Sequence, residues 1–400
     1  MPLGWIDFSK SERNKILSIL DRLSEKETLD ELGIAPVRDG FANIFFPGTS
    51  TIQTRAKYFL IVPYALKDLE RSDETNPNKA LREFDEIEMS CAQKLLENGS
   101  DAERIIGSRS INQGKWVKRT PADIYWAGLR NYGIFTGGTL SLTEYIRAFC
   151  AMKRQKTSLK TLGSRNDNSE ETDGDDKDAG GLFKKQFWNI LDYSDKWMDD
   201  LEIKLTSLEG KFLKQQIIQS FPESMMAFIL KNNMTELLES EDFASLDSLI
   251  HLFPADIQND YRLARKFSDF IYVIRTIYNI ILSNSENQKA NSEWTSMRDN
   301  LKEYSDVDLE AIFTRLQLFN NPNLCNFLRN EKSSMLANDL EEMKNEIRKR
   351  ERYLKGNRAR TMHPGEFDTD AWYGGGTLGY RYSNAKIIMH DIFESEGLYA

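Results

Sequence analysis

Apolar positions recur three and four residues apart along most of this chain. Many of the runs open on a cap signal, and several close near glycine or proline. Ser9-Lys10-Ser11-Glu12 is a capping box, in which a hydroxyl and a carboxylate satisfy orphan amides at a helix start. Ile16, Leu17, Ile19, Leu20 and Leu23 behind it form one apolar face. Thr28-Leu29-Asp30-Glu31 repeats the box, and Gly33 suits a left-handed cap. Ser50-Thr51-Ile52-Gln53 predicts a third helix carrying Ile52, Ala56, Phe59 and Leu60, which Pro63 should kink or end. Residues 79–97 read as an amphipathic helix through Leu81, Phe84, Ile87, Cys91 and Leu95. Thr120-Pro121 and Ser141-Leu142-Thr143-Glu144 open two more.

Between Gly163 and Gly181 the pattern stops. There are no aromatic, Ile, Val or Leu side chains, and seven acids stand in nineteen residues, too little apolar surface to order a chain. Beyond it, Thr206-Ser207-Leu208-Glu209 is again a capping box, followed by expected helices near 207–220 and 222–232. From Asp256 to about Leu282, apolar residues occupy more than one face, the mark of a central helix. One long helix is expected over 322–355 and a last one over 380–393, while strand-like alternation is sparse. The expectation is a mainly α, multi-helical protein with little or no β-sheet. Its parts are an N-terminal helical domain (1–155), a disordered acidic linker (156–181), a helical bundle domain (182–356), and a C-terminal loop with a terminal helix (357–400).

Composition narrows the function classes. Hydrophobic residues are 40% of the chain and aromatics 11%, enough for a core, and no run of 18 apolar residues occurs to span a membrane. Cys91, Cys150 and Cys325 are odd in number and widely spaced, so a disulfide framework is not expected, and a reducing, cytoplasmic setting is. Net charge is −9, spread as +1 over residues 1–155, −3 over 156–181 and −7 over 182–400, so any contact with nucleic acid needs a local patch.

Most short motifs fail their own chemistry. Gly374-Gly375-Gly376-Thr377-Leu378-Gly379 matches a dinucleotide fingerprint but follows no buried strand and has too little chain after it for a βαβ unit, so a flexible turn is expected. Gly133 to Gly138 has phosphate-loop spacing without the lysine. Asp173, Asp175, Asp176 and Asp178 do not follow a calcium-loop pattern, and His251, His363 and His390 show no metal-ligand spacing, so neither metal nor cofactor is expected. The one enzymatic pattern is Glu202-Ile203-Lys204 with Asp192 and Asp195 upstream. Restriction-type nucleases place such groups around magnesium on a strand, although a capped helix begins at once here.

The partner signal is Lys344 to Arg360. Lys344, Arg348, Lys349, Arg350, Arg352, Lys355, Arg358 and Arg360 stand against Glu346 and Glu351, a local +6, with Tyr353 inside and Trp372, Tyr373, Tyr380 and Tyr382 beyond. Such a run neutralises phosphates and offers rings to stack on bases, while its plain reading is a solvated, dipole-complementing helix end. Gln53, Arg55 and Lys57 form a second candidate surface for DNA or a protein partner, and the helix pair 121–132 and 141–155, with Arg147, Lys153 and Arg154, a weaker one.

Several strings resemble a bacterial family of unknown function: Gly4-Trp5-Ile6-Asp7-Phe8, Asp30 to Ile34, Arg38 to Ala42, Ile124 to Leu129, Leu378 to Tyr382, and above all Phe46-Pro47-Gly48-Thr49-Ser50-Thr51-Ile52-Gln53-Thr54-Arg55-Ala56-Lys57-Tyr58-Phe59-Leu60. The resemblance implies a component of antiviral defence or DNA-processing gene clusters, beside helicase-type and phospholipase-D-like proteins. It assigns no catalytic residue. The combined expectation is a non-enzymatic accessory subunit that binds DNA or a partner protein. The alternatives are a magnesium-dependent restriction-type nuclease and a purely structural assembly protein.

Overall fold

A computed structural model describes residues 30–99, 101–111, 116–163 and 187–399. The capping box at Ser9, the Gly4–Phe8 string, Lys115, and the acidic stretch with its four aspartates from residue 164 onward lie outside the described residues. Among the described residues the chain is helical, with no strand or sheet and one isolated bridge between Phe135 and Trp188. The main helices are α1 (Ala35–Phe45), α2 (Tyr58–Arg71), α3 (Pro77–Glu97), α4 (Pro121–Asn131), α5 (Leu142–Gly163), α6 (Ser207–Ser220), α7 (Met225–Lys231), α8 (Ala255–Leu282), α9 (Gln288–Met297), α10 (Leu309–Arg315), α11 (Pro322–Leu336), α12 (Leu340–Lys355) and α13 (Tyr382–Ser395). No described helix is long and apolar enough to cross a membrane.

Three of the caps read from sequence are formed, while Thr28 and Leu29 lie outside the described residues. Thr120 and Asp123, and Thr206 and Glu209, close reciprocal boxes on α4 and α6, and Ser141 exchanges hydrogen bonds with Glu144 at the start of α5. Three expectations shift. Ser50 to Gln53 starts no helix: the Gln53 side chain accepts from the Ser50 amide (3.1 Å), as in a capping box, but it also donates to the Gly48 carbonyl (3.2 Å), and the Ser50 hydroxyl makes no return bond to a described residue. The helix there begins at Tyr58 and runs on through Pro63 to Arg71. The helix expected over 322–355 is two, broken where Asn338 takes a left-handed φ of 54° and Asp339 caps a new start by accepting from the Glu342 amide.

The chain forms two compact units: Met1–Phe45 with Ser240–Tyr382, and Phe46–Glu239 with Ser383–Ala400. Both are built from non-contiguous segments, whereas the expected domains ran end to end. Helices on either side of the acidic stretch, α5 and α6, share one unit, and α5 itself extends to Gly163, inside the expected linker. The reason is side-chain pairing over long sequence distance, described below.

In the Phe46–Glu239 unit, α2 is the axis, with every residue from Tyr58 to Leu66 buried and α3 and α4 packed on it. Gly48 and Gly128 permit the closest approaches. A Cβ on Gly48 would lie 2.6 Å from the Tyr132 ring, and one on Gly128 would lie 2.6 Å from the Gly48 carbonyl. After the acidic stretch the chain re-enters this unit at Phe187 and Trp188, whose rings meet Phe135 and Tyr145. In the other unit α8 is central as expected. Phe267, Phe270, Ile271, Ile274, Ile277, Tyr278 and Ile281 are all buried, and α1, α9, α10 and α12 pack around it.

Candidate nucleic-acid interface

Helix α12 is polarised along its length: Glu341 and Glu342 lie in its first turn, and Arg352 and Lys355 in its last, each complementing the helix dipole. Its inward face carries Met343, Glu346, Ile347, Arg350 and Glu351, so the basic run is split between inside and outside.

The inward cations are bound within the unit. Arg350, 6% exposed, donates from Nε to the Leu32 carbonyl (2.9 Å) and from Nη2 to the Gly33 carbonyl (3.2 Å), with its guanidinium 5.4 Å from the Phe327 ring centre. Gly33 is required there: its φ is +66°, and a Cβ would sit 2.7 Å from Arg350 Nη2. Glu351, wholly buried, accepts from Tyr278 Oη (2.8 Å), the Thr361 amide (2.9 Å) and Lys355 Nζ (3.2 Å). Buried Glu31 takes Lys355 on one side and Arg360 Nη1 (3.1 Å) on the other. Arg360 also lies 4.6 Å from the Tyr373 ring centre. These cations complete a core network and are not available to a phosphate backbone.

The outward set is smaller. Arg348, Arg352 and Arg358 are exposed and have no hydrogen bond or ion pair with any described residue. Lys349 is exposed but already bound to Glu346 (2.7 Å) and near Glu342 (3.6 Å). Arg348 and Arg352 are four residues apart on one stripe. Tyr353 is 65% exposed, and its hydroxyl accepts from Asn323 Nδ2 (2.6 Å), which holds the ring out from the helix end. Of the later aromatics, Tyr380 and Tyr382 are buried, and only Trp372 and Tyr373 reach the surface in part.

The second candidate surface is not one. Gln53, Arg55 and Lys57 are 3%, 9% and 7% exposed. Arg55 Nε donates to both oxygens of Asp391, Oδ1 (3.0 Å) and Oδ2 (2.9 Å), and Oδ2 also accepts from the Ala56 amide (2.8 Å). Lys57 Nζ meets both oxygens of Glu209 (2.8 and 2.7 Å). Tyr125 Oη accepts from the Thr54 and Arg55 amides (2.9 and 3.0 Å) and donates to the Arg55 carbonyl (2.7 Å), while Asn384 Nδ2 donates to the Thr51 and Gln53 carbonyls. The most family-like stretch is therefore a buried polar hub. In the helix pair beyond it, Lys153 Nζ donates to the carbonyls of Leu69, Ser72 and Glu74 at the end of α2 and Arg154 to that of Thr75 (3.0 Å), while Arg147 is exposed.

The nuclease pattern also fails. Leu201 to Leu205 alternate buried and exposed, as a strand would, but pair with no other segment. Lys204 is bound to Glu394 (2.6 Å) and Asp195 to Arg71 (2.8 Å), and Glu202 and Asp192 are simply exposed. Among the described residues the group spaced to hold a metal ion is His390, Asp391 and Glu394, which sequence spacing did not flag and which includes none of the four. Its Asp391 is saturated by Arg55 and its Glu394 by Lys204, so two cations already stand where a metal would.

Residues 1–159 match a family described as a family of unknown function (DUF6361). No curated protein and no solved structure matches the chain.

Proposed function

We propose that this protein binds the backbone of a nucleic acid through the exposed end of α12, as a non-enzymatic accessory subunit of a bacterial DNA-processing or antiviral defence system. The observation that carries the reading is the trio Arg348, Arg352 and Arg358, charged, exposed and without an ion pair among the described residues, beside the outward ring of Tyr353. Three unpaired guanidiniums neutralise phosphates without breaking any internal bond, and a raised tyrosine offers a stacking face. The defence-system setting rests on the family resemblance of the 46–60 stretch alone.

A protein partner is the second reading. It is favoured by Leu354 (39% exposed) beside the same tyrosine and by Phe319 (57%) and Leu336 (56%) in the same unit. Fluorescence anisotropy of the full chain against single- and double-stranded DNA, over a salt series, separates the two. Binding that weakens steeply with salt and is stronger for the strand whose bases can reach Tyr353 supports the proposal. No binding at low salt overturns it and favours the protein partner.

A further inference from the structure

The glycine run 374–379 is more ordered than a flexible turn, because a polar stripe of α8, continued by the Asn287 cap of α9, straps it down. Asn287 Nδ2 donates to the carbonyls of Thr369 (2.6 Å) and Ala371 (3.3 Å). Asn279 both donates to the Tyr373 carbonyl (2.9 Å) and accepts from its amide (2.8 Å). Ser268 Oγ accepts from the Leu378 amide (2.8 Å), and Arg275 Nη1 donates to the Gly376 carbonyl. Between these pins the amides of Gly374, Gly375, Gly376 and Thr377 have no acceptor among the described residues. Gly374 and Gly375 both hold left-handed φ values, 78° and 79°, and a side chain on Gly376 would meet nothing within 4 Å, so the outer face of the loop is open.

Arg275 is the unusual component. It is 7% exposed, and among the described residues it has one carbonyl acceptor for five donors and no carboxylate in ion-pair range. Burial pushes its guanidinium down to about 10, with Arg38 opposing its charge and Asp30 supporting it. Gly375 lies directly over it: a Cβ there would be 3.5 Å from Nη1 and 3.6 Å from Cζ. Beside the loop, Trp372 stacks on Tyr272 (6.0 Å between ring centres) with Lys289 Nζ 4.8 Å from the Trp372 ring centre. A buried cation short of acceptors, under a fixed loop with unengaged amides, is an arrangement that an anion with several oxygens completes.

We infer that the Gly374–Thr377 loop, backed by Arg275 and flanked by Lys289, is a binding site for a phosphate monoester. The chemistry is shared by a free nucleoside monophosphate and by the 5′-phosphate of a strand. The inference does not rest on the proposed backbone binding.

The test is a thermal-shift titration of the full chain with inorganic phosphate, a nucleoside monophosphate, and an oligonucleotide with and without a 5′-phosphate. The expected result is a concentration-dependent rise in Tm with the first two and a larger rise with the phosphorylated oligonucleotide than with its unphosphorylated twin. A response to the small phosphates alone assigns a free nucleotide, and a response to the phosphorylated end alone assigns a strand terminus. Gly375→Asp gives Arg275 a carboxylate from the chain itself at the cost of strain at a left-handed φ, so Tm without ligand should hold or fall while the phosphate response falls at least about tenfold in affinity. Thr377→Pro, which deletes one exposed amide and leaves Arg275 alone, should weaken the response as well. Reversal of Arg348, Arg352 and Arg358 to Glu should leave it unchanged. No Tm shift with any phosphate, or an undiminished shift in both Gly375→Asp and Thr377→Pro, overturns the site.

Discussion

Two cation-bearing stretches of this chain are used in opposite ways. In residues 46–60, Arg55 and Lys57 are enclosed, and each faces one carboxylate brought from far along the sequence, Asp391 and Glu209. In residues 344–360 the cations divide. Arg350, Lys355 and Arg360 are held inside by carbonyls and by Glu31 and Glu351, whereas Arg348, Arg352 and Arg358 meet solvent with no hydrogen bond or ion pair to a described residue. Charge density does not separate the two stretches; the face of the helix and the arrival of distant acids do. A basic run is a binding signal only for the cations left over once those distant partners have been counted.

The largest expected effect comes from breaking a buried pair. Arg55→Met strands Asp391 in the core and should cost about 3–5 kcal/mol in urea unfolding, while Arg55→Met with Asp391→Leu should recover most of the loss. A single variant that unfolds at the wild-type midpoint would place Arg55 among the dispensable surface cations. Next is Glu331 on α11, an acid of the 344–360 neighbourhood to which no cation has been brought. It is wholly buried, neither carboxylate oxygen has a hydrogen-bond partner among the described residues, and burial with the charges of Glu346 and Glu342 raises its carboxyl well above the usual range. Glu331→Met should therefore stabilise the protein by about 1–3 kcal/mol at neutral pH; a loss of stability would reveal a partner for this group.

Glu88 is the corresponding acid beside the start of α4. It accepts from the Ala122 amide (2.7 Å), and burial pushes it from 4.5 up to about 8. Its folded value lies above its unfolded one, so between about pH 4.5 and 8 the folded chain keeps a proton that the unfolded chain has released. Its contribution to stability therefore declines as pH rises through that window. Urea midpoints at both ends of the window should differ less in Glu88→Gln than in the wild type, and an equal difference would mean that other groups set the slope. The smallest effect is expected at the surface: Arg352→Met should change stability by no more than about 0.5 kcal/mol, and a larger loss would give it a structural role.

What the sequence makes legible is local. The boxes at Thr120 and Thr206 and the many-sided apolar pattern of α8 depend on neighbours within a few positions, and all three are in place. Helix α1 is not legible as a helix, because Gly40 sits in its middle; the structure uses that glycine for the approach of Leu316, 3.0 Å from where a Cβ would be. The break at Asn338 is also hidden, since a left-handed residue inside a sequence of helix formers leaves no periodic trace. The fate of Arg55 and Lys57 depends on acids 336 and 152 positions away, beyond any spacing argument, and the same distance hides Glu31 from the 344–360 run. The exposed trio at and just beyond the end of α12 was within the sequence reading, but its limits were not.

The most direct test is the salt dependence of double-stranded DNA binding by the wild type and by the triple variant Arg348→Glu, Arg352→Glu, Arg358→Glu, with Arg350 left intact because its side chain anchors Leu32 and Gly33. If the three exposed guanidiniums are the phosphate contacts, the slope of log affinity against log salt falls by about 3 and the stability is unchanged. A wild type that does not bind at low salt, or a triple variant with the wild-type slope, contradicts the account.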